Sequence, residues 1–185
     1  MKKKVLVACL CVALAVLTIA GTTLAYLTAT TEEVKNIFTV GNININLNET
    51  TGTEYKMVPG YTIAKDPKVT VTAGSEKCYL FVKLEKSINL DNFITYTIAD
   101  GWTALVGVNG VYYRTVATAA TDTSFDVLKN NQVTVSDKVT KEMMNALTEN
   151  TYPTLTVTAY ACQYQKDNTT PFTAAEAWNN VNSAT

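Results

Sequence analysis

Cys78-Tyr79-Leu80-Phe81-Val82-Lys83-Leu84 carries one charge in seven residues and is the most apolar strand candidate in the chain. Aromatic and β-branched side chains suit a pleated, buried surface, and so continuous an apolar run places this strand near the centre of a sheet. Upstream, Lys68-Val69-Thr70-Val71-Thr72 is a short β-branched strand closed by the turn residues Ala73-Gly74-Ser75. Further upstream, Ile43, Ile45 and Leu47 alternate with Asn42, Asn44 and Asn46, the period of a half-buried strand. Asn is a poor strand former, so burial of the Ile face must hold this segment extended.

Downstream, Trp102–Val108 and Val111–Val116 flank Asn109-Gly110. Both turn residues tolerate positive φ, so the pair predicts a two-residue hairpin. Leu155, Val157, Ala159 and Ala161 then alternate with Thr154, Thr156, Thr158 and Tyr160 as a long strand. Helical spacing is confined to two places. Val139, Met143, Ala146 and Leu147 predict an amphipathic helix within Asp137–Glu149. Thr173-Ala174-Ala175-Glu176 has the form of a capping box, with Pro171 just ahead, and opens a final helix through Trp178 and Val181.

Many short strands separated by turn residues predict an all-β fold, a jelly-roll-like β-sandwich with one or two short helices. Its Ile, Val and Leu faces pack together and its Thr-rich faces meet solvent. No repeat, low-complexity tract or interdomain linker interrupts residues 26–185, which are read as a single domain.

The residues before this domain form a signal helix. Lys2-Lys3-Lys4 precede an uncharged apolar run from Val5 to about Ala20, then Gly21-Thr22-Thr23-Leu24-Ala25. A basic head, an apolar core and a small-residue exit make a secretory signal peptide spanning residues 1–25. Thr23 and Ala25 occupy the small-residue positions that a signal peptidase needs, and cleavage leaves Tyr26 as the new N-terminus. The competing reading is a permanent anchor, since Val5–Leu27 just reaches the roughly 20 apolar residues of a spanning helix. The well-formed exit favours cleavage, with membrane contact only before it.

Removing 25 of the 185 residues leaves 160, enough for one domain with a real core. The signal takes three of the 15 Lys+Arg and none of the 16 Asp+Glu, so the mature formal charge is −4. An acidic domain without a basic cluster has no electrostatic footprint for nucleic acid. Cys9 and Cys11 lie in the signal. Only four apolar residues precede Cys9, too few for the core of a lipoprotein signal. Cys78 and Cys162 remain, and export allows a disulfide between them if the fold brings them close. Otherwise they are two small buried apolar side chains.

Chemistry-bearing patterns are sparse. The chain has no histidine, which removes the Ser/His/Asp triad, the Cys/His dyad and the two-histidine zinc motif together. Two dispersed cysteines cannot make a four-ligand zinc site alone. The glycines are isolated at turns, with no phosphate-binding loop and no alternating Asp/Asn calcium loop. Glu32-Glu33 near the new N-terminus and Asp122 and Asp126 in a predicted loop read as solvated surface rather than acid/base pairs. No catalytic residue, metal ligand or cofactor is assigned. Tyr112-Tyr113, Tyr160 and Tyr164 are a candidate binding face, although Tyr is also a favoured strand residue and sheet packing explains them better.

Leu24-Ala25-Tyr26-Leu27-Thr28-Ala29 after the signal, then Asn36-Ile37-Phe38-Thr39-Val40-Gly41-Asn42-Ile43, carry a resemblance to a family of exported proteins. Val58-Pro59-Gly60, Lys65-Asp66-Pro67-Lys68-Val69 and Tyr79–Leu84 follow in the same order, and Leu155–Gln163 with Glu176-Ala177-Trp178 match its closing segments. The chain resembles the SipW-dependent, TasA/camelysin-like family of biofilm-matrix and surface proteins of Gram-positive bacteria. The match is strong at the N-terminus, moderate at the C-terminus and weak between Ile88 and Glu149.

The resemblance implies a secreted jelly-roll subunit, processed by a SipW-like signal peptidase and displayed in the extracellular matrix or at the cell surface. It further implies self-assembly into fibres by N-terminal strand donation, with minor fibre or anchoring proteins as further partners. The candidate donor strand is Tyr26 to about Val40, with Tyr26, Leu27, Val34, Ile37, Phe38 and Val40 as its apolar residues, interrupted by Thr30-Thr31-Glu32-Glu33. Alternatively, Val34–Leu47 is the first strand of its own domain, with Tyr26–Glu33 a tail. Camelysin-like members imply a surface metallopeptidase instead, which the absence of histidine argues against. A monomeric adhesin or binding module is the third reading.

Overall fold

The structure is a computed structural model that describes residues 41–52 and 54–183. The signal-cleavage residues Thr23, Ala25 and Tyr26 lie outside the described residues. So does the candidate donor segment with Leu27, Val34, Ile37, Phe38 and Val40. Among the described residues, ten antiparallel strands make an all-β sandwich with three short α-helices.

The central sheet has the order β10-β4-β7-β6, formed by Leu155–Gln163, Cys78–Lys86, Val111–Val116 and Thr103–Ala104. The run singled out in the sequence is therefore an interior strand. β10 and β4 pair along nine residues, from Leu155 with Lys86 to Gln163 with Cys78. Two three-stranded sheets complete the sandwich. One has the order β1-β3-β8, from Ile45–Asn48, Lys68–Val71 and Thr123–Asp126; the other has β2-β9-β5, from Thr62–Ala64, Gln132–Val135 and Ile94–Thr95.

β4 is apolar and buried from Cys78 to Val82 because both of its faces are covered there. On one side Cys78, Leu80, Val82 and Leu84 join Val69 and Val71 of β3, Val133 and Val135 of β9, and Val127 and Leu128 in the main core. On the other side Tyr79 and Phe81 join Val111, Leu105, Ala177 and Trp178 in a second, aromatic core. Leu80, Phe81 and Val82 are fully buried, and each such side chain contributes about 1.5–3 kcal/mol of transfer free energy.

The lid on the aromatic face is the C-terminal helix α3 (Ala174–Asn182), which follows α1 (Leu90–Phe93) and α2 (Lys141–Asn145) in the chain. Its start is the predicted capping box: the Thr173 hydroxyl accepts from the Glu176 amide at 3.3 Å and the Thr173 amide donates to the Glu176 carboxylate at 2.9 Å. Trp178 packs its ring 5.5 Å from Phe81 and 5.2 Å from Tyr160. The Tyr79 hydroxyl donates to the Phe172 carbonyl at 2.9 Å, and its ring stacks on Tyr164 at 5.2 Å.

Three sequence expectations are corrected. The hairpin before β7 is wider than a two-residue turn: Leu105 pairs with Val111 through a 2.9 Å bond, and the loop runs between them. Gly110, at φ +72°, is needed because its backbone runs against β4, accepting a 2.8 Å bond from the Leu84 amide. A Cβ there would meet the Leu84 carbonyl oxygen at 2.5 Å. The predicted Asp137–Glu149 helix is only α2, capped by the Thr140 hydroxyl; Val139 is buried ahead of it and Leu147 packs beyond it. Asp126 is not in a loop but ends β8, paired in register with Lys68.

Candidate functional site

Strand β1 and strand β10 are both edges: β1 pairs only with β3 and β10 only with β4 among the described strands. They lie close to each other at one margin of the sandwich. The apolar residues of this margin are Ile43, Ile45 and Leu47 from one side and Leu155, Val157, Ala159 and Ala161 from the other. All are half-buried and pack against the main core from outside. The predicted alternation of β1 is observed, with the Ile and Leu side chains turned toward the core and the Asn side chains exposed. Residues 42–44 extend the margin by backbone bonds, Asn44 O accepting from Thr72 N at 3.0 Å and Asn42 O from Glu76 N at 2.9 Å. An apolar seam between two backbone edges left open among the described strands is the arrangement to which an extended chain adds.

The candidate acid/base groups are structural. Asp122 accepts from the Ala73 amide at 2.8 Å, and Asp126 lies 3.3 Å from Lys68 Nζ. Asp66 accepts from the backbone and hydroxyls of Thr50 and Thr51, holding the 50–51 turn to the start of β3. The Thr50 hydroxyl first, then the Thr51 amide and hydroxyl, keep its carboxyl well below the usual carboxylate range. Glu49 binds Lys65 Nζ at 2.9 Å and accepts from the Tyr55 hydroxyl at 2.7 Å. Glu32 and Glu33 lie outside the described residues. The tyrosines are divided by the sheet. Tyr113, Tyr160 and Tyr164 pack in the aromatic core and Tyr112 against the main core, so sheet packing, not one binding face, explains them.

Cys78 and Cys162 are both free and buried. They sit on neighbouring strands but one register step apart, Cys162 opposite Tyr79 and Cys78 opposite Gln163. Successive strand residues point to opposite faces. Cys78 accordingly lies in the main core and Cys162 in the aromatic core, and the candidate bridge between them is not formed. Burial, with a smaller effect of Cys162, pushes the Cys78 thiol up to about 11. Burial likewise raises Cys162, against a hydrogen bond from the Asn180 side chain that lowers it.

Among the described residues, the fold and this site define an all-β sandwich with an apolar seam beside β1 and β10. Residues 1–157 match the pattern of the camelysin metallo-endopeptidase family, and the chain belongs to that family. No curated protein and no solved structure matches the chain. Among the described residues, no helix is long and apolar enough to cross a membrane.

The family description implies a metal, and the donor set can be tested against it. A peptidase zinc is held by three protein ligands from His, Asp, Glu or Cys around an open position. The chain has no histidine, and among the described residues no three Cys, Asp or Glu side chains come together. The two thiols are separated by the sheet, and the carboxylates of Glu49, Asp91 and Glu176 are each taken up by a lysine. The described residues do not fit a peptidase metal centre.

Proposed function

We propose that the protein is a secreted structural subunit of an extracellular matrix or cell-surface fibre. Tyr26–Val40 of one copy adds as a strand to the seam between β1 and β10 of the next. The observation that carries this reading is the seam itself: half-buried Ile45, Leu47, Leu155, Val157 and Ala159 beside two strand edges that have no partner among the described strands. Strand addition satisfies the backbone groups of an edge and completes the burial of the side chains beneath it. Tyr26, Leu27, Val34, Ile37, Phe38 and Val40 supply apolar side chains for that purpose. Donation from head to tail does not close on itself, so it builds a filament. A SipW-like signal peptidase cutting after Ala25 frees the donor end, which makes export and assembly consecutive steps.

The test compares protein starting at Tyr26 with protein lacking Tyr26–Lys35, followed by light scattering and electron microscopy. The first polymerises and the second stays monomeric; if both stay monomeric under every assembly condition, strand donation is wrong. N-terminal sequencing of surface material should begin at Tyr26.

The family description favours a second reading, a surface metallo-endopeptidase. Casein hydrolysis by the purified mature protein, lost on chelation and restored by zinc, would establish it. The structural reading expects no chelator-sensitive hydrolysis.

A further inference from the structure

At the end of β2, three side chains that can react with one another come together. Ile63 of β2 packs against the main core, and alternation carried past the strand puts Lys65 on the same face. Lys65 Nζ lies 2.9 and 3.0 Å from the two carboxylate oxygens of Glu49, which also accepts from the Tyr55 hydroxyl at 2.7 Å. The Tyr55 ring flanks the ammonium, its centre 5.4 Å from Nζ. The two side chains of this ion pair are 12% and 20% exposed. In every other ion pair among the described residues both partners are at least 31% exposed.

The third group is Asn131. The Lys65 amide donates to the Asn131 carbonyl at 2.9 Å, which carries the β2–β9 ladder one step past the pairing of Ala64 with Gln132. Residues opposite each other in such a ladder have Cβ atoms roughly 5 Å apart, so the Asn131 carboxamide starts within the sweep of the Lys65 stem. Asn131 is left-handed at φ 53°, after Asn130 at φ 56°, and its amide donates to the Leu128 carbonyl at 3.1 Å. Its side-chain Oδ1 is buried and has no hydrogen-bond partner among the described residues. A bare buried acceptor is costly, and the left-handed turn alone does not explain why this carboxamide oxygen is kept out of water.

An amine, a carboxamide and a carboxylate, largely out of water, are the groups needed to form an amide. We propose that the side chains of Lys65 and Asn131 join covalently, with Glu49 as the proton carrier. An ion pair withdrawn from water lies nearer in energy to its neutral form than one in solvent. Glu49 takes a proton from Nζ, and the free amine attacks Cγ of Asn131. The bond from Cγ to Nζ forms and the bond from Cγ to Nδ2 breaks. Nδ2 leaves as ammonium, with its own two hydrogens and the two given up by Nζ, and Glu49 ends as the carboxylate it began as. No oxidant, metal or further reactant enters. The link ties β2 to β9 in a sheet whose outer strands are only three and two residues long. The inference is independent of strand donation, since neither Lys65 nor Asn131 belongs to the seam.

The intact mass of purified protein starting at Tyr26 decides it. The mass is lower than that of the sequence by one ammonia, and the loss survives reductant. A digest yields one branched peptide that carries both Lys65 and Asn131 and resists trypsin at Lys65. Lys65→Arg keeps a cation beside Glu49, but its guanidinium does not deprotonate, and it shows the full mass. Glu49→Gln keeps both reactants without the proton carrier and forms the link roughly a hundredfold more slowly. If Glu49→Gln does not fold, the wild type and Lys65→Arg decide between them. Full mass in the wild type overturns the proposal, as does linking of Glu49→Gln at the wild-type rate. A loss of water instead of ammonia overturns it too, because Glu49 would then be the partner of Lys65. So does a loss of ammonia that persists in Lys65→Arg, which would place the reaction elsewhere.

Discussion

Replacing Gly110 with alanine isolates the close contact between the β6–β7 loop and the central strand. Gly107 lies in the same loop, also with positive φ (+82°), and a Cβ added to it would meet nothing within 4 Å. Gly107→Ala therefore costs only the left-handed backbone penalty of an L-residue, about 1–2 kcal/mol. Gly110→Ala carries the same penalty and also drives a methyl to 2.5 Å from the Leu84 carbonyl oxygen. Relief of that clash must separate the loop from β4 and break the 2.8 Å bond from Leu84 N to Gly110 O, a further 0.5–1.5 kcal/mol or about 2–4 kcal/mol in all with the repulsion. Both substitutions restrict the unfolded chain alike, so their difference reports the folded state. Urea unfolding of protein starting at Tyr26, followed by far-UV circular dichroism, measures it. With m near 1–3 kcal/mol/M, Gly110→Ala lowers the midpoint by roughly 1 M more than Gly107→Ala does. Coincident midpoints for the two variants would refute the assigned contact.

Three further outcomes follow from the cores and the turns. Trp178→Ala empties a site only 3% exposed between Phe81 and Tyr160, so it lowers stability by about 3–5 kcal/mol and strips near-UV ellipticity; a loss below 1 kcal/mol would mean that α3 is not a lid. Asp66 has a depressed folded pKa, so its contribution is present above the unfolded value of about 3.9 and fades as pH falls below it. The difference in urea midpoint between wild type and Asp66→Asn should be widest near pH 6 and shrink below pH 4, and a constant difference down to pH 2 contradicts the Thr50–Thr51 clasp. Cys78 and Cys162 resist a thiol reagent at pH 8 in the native protein and both react in denaturant, whereas a disulfide found by mass spectrometry would contradict their placement on opposite faces.

Long strands with strong patterns were legible. β4, β10, β3 and β1 fall where apolar runs or alternation placed them, and Thr173–Glu176 opened a helix because the capping box is a local device. β2, β5, β8 and β9 were not singled out. They are two to four residues long, and Thr62–Ala64 or Thr123–Asp126 becomes a strand only because a distant partner supplies the ladder. Asn109-Gly110 misled because the tertiary approach of Leu84, not the local turn, decides what Gly110 does. The seam was half visible: alternation marked β1 and β10 separately, but not that they share a margin.

β4 pairs with β10 from Lys86 with Leu155 to Cys78 with Gln163, and its aromatic face waits for α3 at the end of the chain. The strand at the middle of the molecule is thus completed last in order of synthesis. Distant pairings slow folding, because loop closure precedes the contacts that reward it. A chain that lacks β10 and α3 cannot finish its central layer. Removal of β10 and α3 would therefore strip β4 of one ladder and one covered face at once, a loss that no neighbouring segment could make good.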